Sequence, residues 1–258
     1  MKIFLDVGAH EGETLPAVLD PRFGFDRIVC FEPASGCWPR LRRIRDPRVS
    51  IEPFGLWRAS TTMTMHDPGD IGASIFEKKY STGRRTEQVK LVKASEWFAD
   101  NLGHEDEIYA KLNVEGAEAD ILEDLITTGE IKKLDALLVH LDIRKVPSQR
   151  DRADQVVRDV AEAGIPFTVG DHRTGPSHIA RVQSWLEQAG AAGSMTGPMA
   201  HLRSAVLRLR YVAIPTLSRS FRLGTLVRAV FGKRLHRLIR SRVLGYRFEE
   251  RKIRTKPN

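Results

Sequence analysis

Acids and glycines stand together near the start of the chain, in Asp6-Val7-Gly8-Ala9-His10-Glu11-Gly12-Glu13-Thr14, directly after the apolar run Ile3-Phe4-Leu5. An apolar strand that breaks into a Gly-rich turn and then a helix is the ligand-binding opening of an open parallel α/β sheet, where ligands sit beyond the carboxyl ends of the strands. Gly8 and Gly12 carry no Cβ and let the backbone approach a ligand closely. A dinucleotide pyrophosphate fits poorly, because its fingerprint needs three glycines spaced G-x-G-x-x-G and this turn has two, with His10 and Glu11 between them. Asp6, Glu11 and Glu13 suit a positively charged ligand instead, since opposite charges attract across a partly desolvated site. The plain alternative is a βα turn whose glycines only relieve sterics.

The next strand adds to this. Arg27-Ile28-Val29-Cys30-Phe31-Glu32 ends in an acid about 25 residues downstream and is followed by Pro33. In nucleotide-binding sheets an acid at this place accepts hydrogen bonds from ribose hydroxyls, which makes Glu32 the candidate ribose ligand rather than a solvated carboxylate. A nucleoside with a cationic group joins the two observations, and S-adenosylmethionine, with its sulfonium and amino groups, is such a molecule. Asp6, Gly8, His10, Gly12, Thr14 and Glu32 are the expected cofactor-binding residues of this half.

Further along, Glu107 to Glu118 reads Glu-Ile-Tyr-Ala-Lys-Leu-Asn-Val-Glu-Gly-Ala-Glu, an apolar strand running into a turn and then a helix over 117–125. The run Lys111-Leu112-Asn113-Val114-Glu115-Gly116-Ala117-Glu118 resembles the signature of the FkbM-type methyltransferases. The opening Asp6 to Thr14 and the Phe31-Glu32-Pro33 run resemble that family's other two marks, in the same order, and the likeness covers about residues 3–170. The resemblance implies a class I, Rossmann-like fold and S-adenosylmethionine-dependent O-methylation of a hydroxyl on a saccharide, glycolipid or secondary metabolite. The family usually has Asp where this chain has Asn113, so a role needing a charge there is not carried over. It also usually has residues ahead of the first strand that help cover the cofactor. Here the chain begins at that strand, so a cover from elsewhere, or a start upstream of Met1, is expected.

Methyl transfer from a sulfonium is a displacement at carbon, so alignment dominates and a base helps to deprotonate a hydroxyl acceptor. Glu115, just past the strand, is the first candidate base. Glu118, one turn on, is placed to accept from the free amides of its own helix or to assist the substrate. His140, near the end of an apolar strand over 134–141, is the second candidate base, with Asp142 close by; a hydrogen-bonded core histidine is the competing role. Asn113 can hydrogen-bond the methionine part of the cofactor. Lys111 shares its face of the strand and reads as a buried charge paired to an acid. His172 and His178 fall in a polar loop and read as surface residues. No cluster of Cys and His has metal-ligand spacing, so no metal site is expected, and Cys30 and Cys37 read as packing residues.

The elements that must position these residues follow the same alternation. Helices are expected over 13–19, 36–44, 95–101 (capped by Ser95), 149–163 and 179–189, and strands over 49–57 and 167–169. The helix over 36–44 carries Arg40, Arg42 and Arg43, with Arg45 just beyond, as a solvated face. Between 59 and 91 the pattern is β-like on both sides of Asp67-Pro68-Gly69, which predicts a β-hairpin insertion. The expected architecture is therefore α/β, a mostly parallel sheet flanked by helices, with that hairpin and a basic helical extension.

The chain of 258 residues suits one α/β domain, over 1–190, plus an appendage over 199–258. The last 58 residues carry 16 Lys and Arg against Glu249 and Glu250, a net +14, whereas the first 200 carry a net −6. Within 202–240, Leu223, Leu226, Val227, Val230 and Phe231 form an apolar stripe beside Arg228, Lys233, Arg237 and Arg240. Such a basic amphipathic helix can lie on an anionic membrane surface, pack its stripe on the domain, or hold nucleic acid. Nucleic acid fits least, because aromatics are too sparse to stack bases. The start is too short in apolar residues for a secretory signal and no run reaches membrane-spanning length, so a cytoplasmic protein, peripheral on the membrane's inner face if the tail binds it, is expected. A nucleic-acid methyltransferase and a cofactor-binding relative without turnover are the rival functions.

Overall fold

The computed structural model describes residues 1–76, 85–170 and 177–192. The expected tail over 199–258, its basic stripe and His172 lie outside the described residues. Nine strands are described: β1 (Lys2–Val7), β2 (Arg27–Phe31), β3 (Val49–Glu52), β4 (Gly55–Trp57), β5 (Thr61–His66), β6 (Thr86–Lys93), β7 (Glu107–Leu112), β8 (Ala136–Val139) and β9 (Phe167–Val169). The helices are α1 (Leu15–Val18), α2 (Trp38–Leu41), α3 (Ala94–Asn101), α4 (Glu118–Thr128), α5 (Ala153–Glu162) and α6 (His178–Gln188).

Six strands form one parallel sheet in the order β3-β2-β1-β7-β8-β9. The order reverses between β1 and β7, which opens a crevice beyond their carboxyl ends. Both faces are covered, as the unbroken apolar runs of β1 and β8 require. On one face Phe4 packs edge-on against Phe25 and Trp185, at 5.4 and 6.4 Å between ring centroids, so α6 is fastened beneath β1. On the other, Ile3, Leu5 and Val7 join Trp97, Phe98, Leu122, Val156 and Val160 of α3, α4 and α5 in the main core. The fold is Rossmann-like α/β, as expected.

The hairpin insertion is present. β5 pairs antiparallel with β6, Thr61 opposite Leu91 and Met65 opposite Glu87. The single strand expected over 49–57 is instead two. Pro53, which has no N–H to give a ladder, separates β3 from β4, and β4 leaves the main sheet to pair in parallel with β6. Two helices are shorter than their periodicity predicts: α1 and α2 each carry a proline in the first turn and last four residues. Ser95 is inside α3 rather than capping it; its amide donates to Asp124 Oδ2 at 2.7 Å. The stretch before α5 is a 3₁₀ turn, Arg150–Arg152. Arg40, Arg42, Arg43 and Arg45 are exposed, and Cys30 and Cys37 are buried. No helix of the described residues is long and apolar enough to cross a membrane.

Candidate functional site

Beyond the carboxyl ends of β1, β2 and β7 lies a cavity of about 290 Å³. Its sheet side is made by Gly8, His10, Thr14, Glu32, Lys111, Asn113 and Glu115, and its other side by the insertion, including Leu56, Met65, Leu91 and the segment from Gly69 to Ala73. Of the residues singled out in the sequence, Gly8, His10, Thr14, Glu32, Asn113 and Glu115 therefore share one wall. Asp6, Gly12 and His140 are not part of it.

The turn after β1 is shaped by its contacts. Gly8 has φ +81°, and a Cβ there would stand 1.9 Å from the Asn113 carbonyl oxygen, so the β1 and β7 ends can meet this closely only with glycine. The amides of Gly8 and Ala9 both donate to Phe31 O, at 3.1 and 3.0 Å, which fixes the turn on the end of β2. Gly12 serves packing: its open side faces Leu15, Leu41 and Ile44. Beneath the floor, fully buried Asp6 accepts from Lys111 Nζ at 3.0 Å, and the same ammonium donates to Gly8 O at 3.0 Å. Burial raises the pKa of Asp6 and the adjacent Lys111 charge opposes this. Asp6 thus holds Lys111 in place instead of reaching the cavity, and the expectation that Lys111 pairs with an acid holds.

Glu32 lines the cavity and also braces it. Its two carboxylate oxygens accept from the amides of His10 and Ala34, each at 2.8 Å, tying the first turn to the end of β2. Burial pushes its pKa up, against those two amides. His10 has a left-handed backbone, φ +49°, and its ring stands between Glu13 Oε1, 2.7 Å from Nδ1, and Gly69 O, 3.1 Å from Nε2. Asn113 Oδ1 is buried with no hydrogen-bond partner among the described residues. An ammonium carries three donors, and among the described residues two of those of Lys111 are matched. Both residues line the cavity near the end of β7.

Glu115, also left-handed at φ +57°, stands at the cavity wall, and its carbonyl accepts from Ser74 Oγ at 2.8 Å. Glu118 is committed elsewhere. Fully buried, it accepts from the amides of Val114, Gly116 and Ile143 at 3.3, 3.1 and 2.9 Å, so it ties the β7 turn to the 3₁₀ turn after β8. Burial lifts its pKa to about 7. It is an amide acceptor, as one of its two expected roles has it, but chiefly of the turns before α4 and after β8 rather than of its own helix. The His140 ring is half-buried and packs on Gly170, where a Cβ would be 2.6 Å away. Asp142 is buried and pairs with Lys145 at 2.6 Å.

His178 corrects the sequence reading. Placed by α6 at the cavity wall, it is no surface residue: Nε2 lies 3.2 Å from the hydroxyl of buried Thr14. Burial, with the charge of Lys111, lowers its pKa to about 4, so at neutral pH it presents an uncharged imidazole. No local signal marks it, because 164 residues separate it from Thr14. The other missed wall, Gly69 to Ala73, had a faint one in its two glycines. The acids of the cavity, Glu13, Glu32, Asp70 and Glu115, outnumber its cations, so the lining favours a ligand with positive charge. His10, Glu11 and Glu13 bring ligand atoms within 4.8 Å of one another, but His10 and Glu13 hold each other and Glu11 holds Arg40.

No protein-family model and no curated protein matches the chain. Among solved structures it is similar to a protein described as methyltransferase FkbM from Methylobacillus flagellatus KT, with TM-score 0.42 and 17% identity over 63% of this chain. The match spans 39% of the length of that protein.

Proposed function

We propose that the chain is an S-adenosylmethionine-dependent methyltransferase acting on a hydroxyl, with a saccharide, glycolipid or secondary metabolite as the acceptor class. The observation that carries this reading is the buried Asn113 Oδ1 without a partner among the described residues, in a cavity that Lys111 also lines and whose lining has excess acid. An acceptor amide and an ammonium in one cavity lining match the ammonium and carboxylate of an amino acid, and the acids match a sulfonium. The residues present therefore fit the cofactor, which when bound supplies a methyl group on a positively charged sulfur.

Asn113 and Lys111 would hold its amino-acid end, and Glu32 the ribose hydroxyls, using the lone pairs its two backbone bonds leave over. Thr14 and the Gly8 turn shape the wall beside them. Glu115 takes the proton of the acceptor hydroxyl as that oxygen becomes nucleophilic. The basic tail over 202–240 is proposed to hold the protein to an anionic membrane surface, which favours a lipid-linked acceptor.

Calorimetric titration of S-adenosylmethionine and S-adenosylhomocysteine into the full chain, with NAD as control, tests the cofactor. Binding of the first two alone is expected; NAD binding, or none, would remove the assignment. Sedimentation with anionic and with neutral vesicles tests the tail, and equal recovery with both would remove the membrane reading.

A further inference from the structure

Taking the cavity as a cofactor site, the segment Asp67–Phe76 carries its outer wall, and among the described residues it is hydrogen-bonded to the sheet side at two points. At one, Ser74 Oγ donates to Glu115 O at 2.8 Å. At the other, the His10 ring bridges Glu13 and Gly69, with Nδ1 2.7 Å from the carboxylate and Nε2 3.1 Å from the carbonyl oxygen. Both neighbours are acceptors only. A neutral imidazole has one N–H and can satisfy one of them, whereas the imidazolium satisfies both.

We propose that His10 is a positioning residue whose protonated ring latches Gly69 to the turn after β1, making Asp67–Ala73 the cover of the cofactor. The charges around it agree. Glu13 from the same turn and Glu32 from the end of β2 present negative charge to the ring, and Asp70 of the cover also lines the cavity. The cations of the neighbouring elements are each held by an acid: Lys111 by Asp6, Arg40 by Glu11 and Arg85 by Asp70. His178 is uncharged. Glu13 chiefly lifts the pKa of the ring above 6.5 against burial, and Gly69 O adds to it. Burial raises Glu13 itself, but His10 outweighs this and holds it below the ordinary carboxyl value, which keeps it an acceptor. As pH rises through the pKa of the ring, one of the two bonds is lost and the latch opens.

S-adenosylhomocysteine titrated calorimetrically into the full chain reads the latch. Affinity should fall about fivefold or more from about pH 6 to about pH 8.5 as the ring loses its proton. His10→Asn tolerates the left-handed backbone but is too short to bridge. It should bind as weakly as the wild type does at high pH, with no dependence on pH. Hydrogen exchange of the described segment 67–76, compared at one pH without ligand, should be faster in His10→Asn. Glu13→Gln should move the pH midpoint of binding down. Wild-type affinity that is flat with pH, equal exchange in the two proteins, or an unmoved midpoint in Glu13→Gln would each overturn the latch. Absence of binding at every pH would count against the cofactor reading, and the exchange comparison would still decide the latch.

Discussion

The two walls of the cavity are built by different physics. The sheet wall is held from behind: β1 and β7 meet through Gly8 and Asn113, and Lys111 is locked to Asp6 in the fully buried layer below. Glu118 ties three backbone amides behind the β7 turn. The insertion wall from 67 to 76 is joined to the sheet wall by two hydrogen bonds among the described residues, His10 to Gly69 and Ser74 to Glu115; it packs Ala73 and Ile75 on a small apolar cluster and carries Ile71 at 92% exposure. One wall is preorganised by the main core, and the other by a smaller apolar cluster and a few bonds nearer water. A ligand entering this site meets a fixed floor and an adjustable cover, because local opening costs least where few apolar contacts are lost.

Breaking the floor should have the largest effect. Lys111→Met leaves Asp6 buried without its partner and should cost about 3–5 kcal/mol of unfolding free energy in urea, with much of this restored by the double variant Asp6→Asn, Lys111→Met. A loss below about 1 kcal/mol would show the pair to be better solvated than its burial indicates.

Glu118 gives the floor a pH dependence of known sign. Its folded pKa of about 7 lies above the unfolded 4.5, so the folded state binds the proton more tightly. The associated stability is complete below pH 4.5 and is lost as pH rises to about 7, by about 3 kcal/mol. Urea unfolding at several pH values should show this slope in the wild type and lack it in Glu118→Gln. Equal slopes would mean that the three amides keep the carboxylate ionised.

Where floor and first turn meet, Glu32→Ala removes both the proposed ribose acceptor and the partner of two amides. S-adenosylhomocysteine affinity should fall by about 1.5–3 kcal/mol, read by calorimetry. The smallest effect belongs to the cover: Ile71→Ser should leave stability within about 0.5 kcal/mol, since the side chain is nearly all in water. A larger loss in thermal unfolding would show that Ile71 packs on something and that the walls differ less than they appear to.

Much of the sheet wall was legible in the amino-acid sequence. β1, β2 and β7 are apolar runs that end close to Asp6, Glu32 and the Asn113 turn, and parallel pairing of neighbouring strands brings such ends to one edge of the sheet. The hairpin and β9 were legible from alternation and turn residues. The reading failed where one local signal had two tertiary outcomes. The alternation over 49–57 does not say which sheet a strand joins, and β4 went to the insertion once Pro53 had broken the ladder. Gly12 looks like Gly8 in sequence, yet one faces side chains of its own helical layer and the other a neighbouring strand's carbonyl.

The sequence by itself determined the α/β alternation, the acids and glycines at the strand ends and the charge contrast between the two parts of the chain, because these depend on residue type and short-range spacing. Only the tertiary structure decided that Asp6 lies under the cavity and Glu32 in it, that His178 comes to Thr14 from 164 residues away, and that His10 faces two acceptors. Burial, and the partners a side chain finds in three dimensions, are set by the order of strands in the sheet and by what packs across it, and no local pattern encodes either.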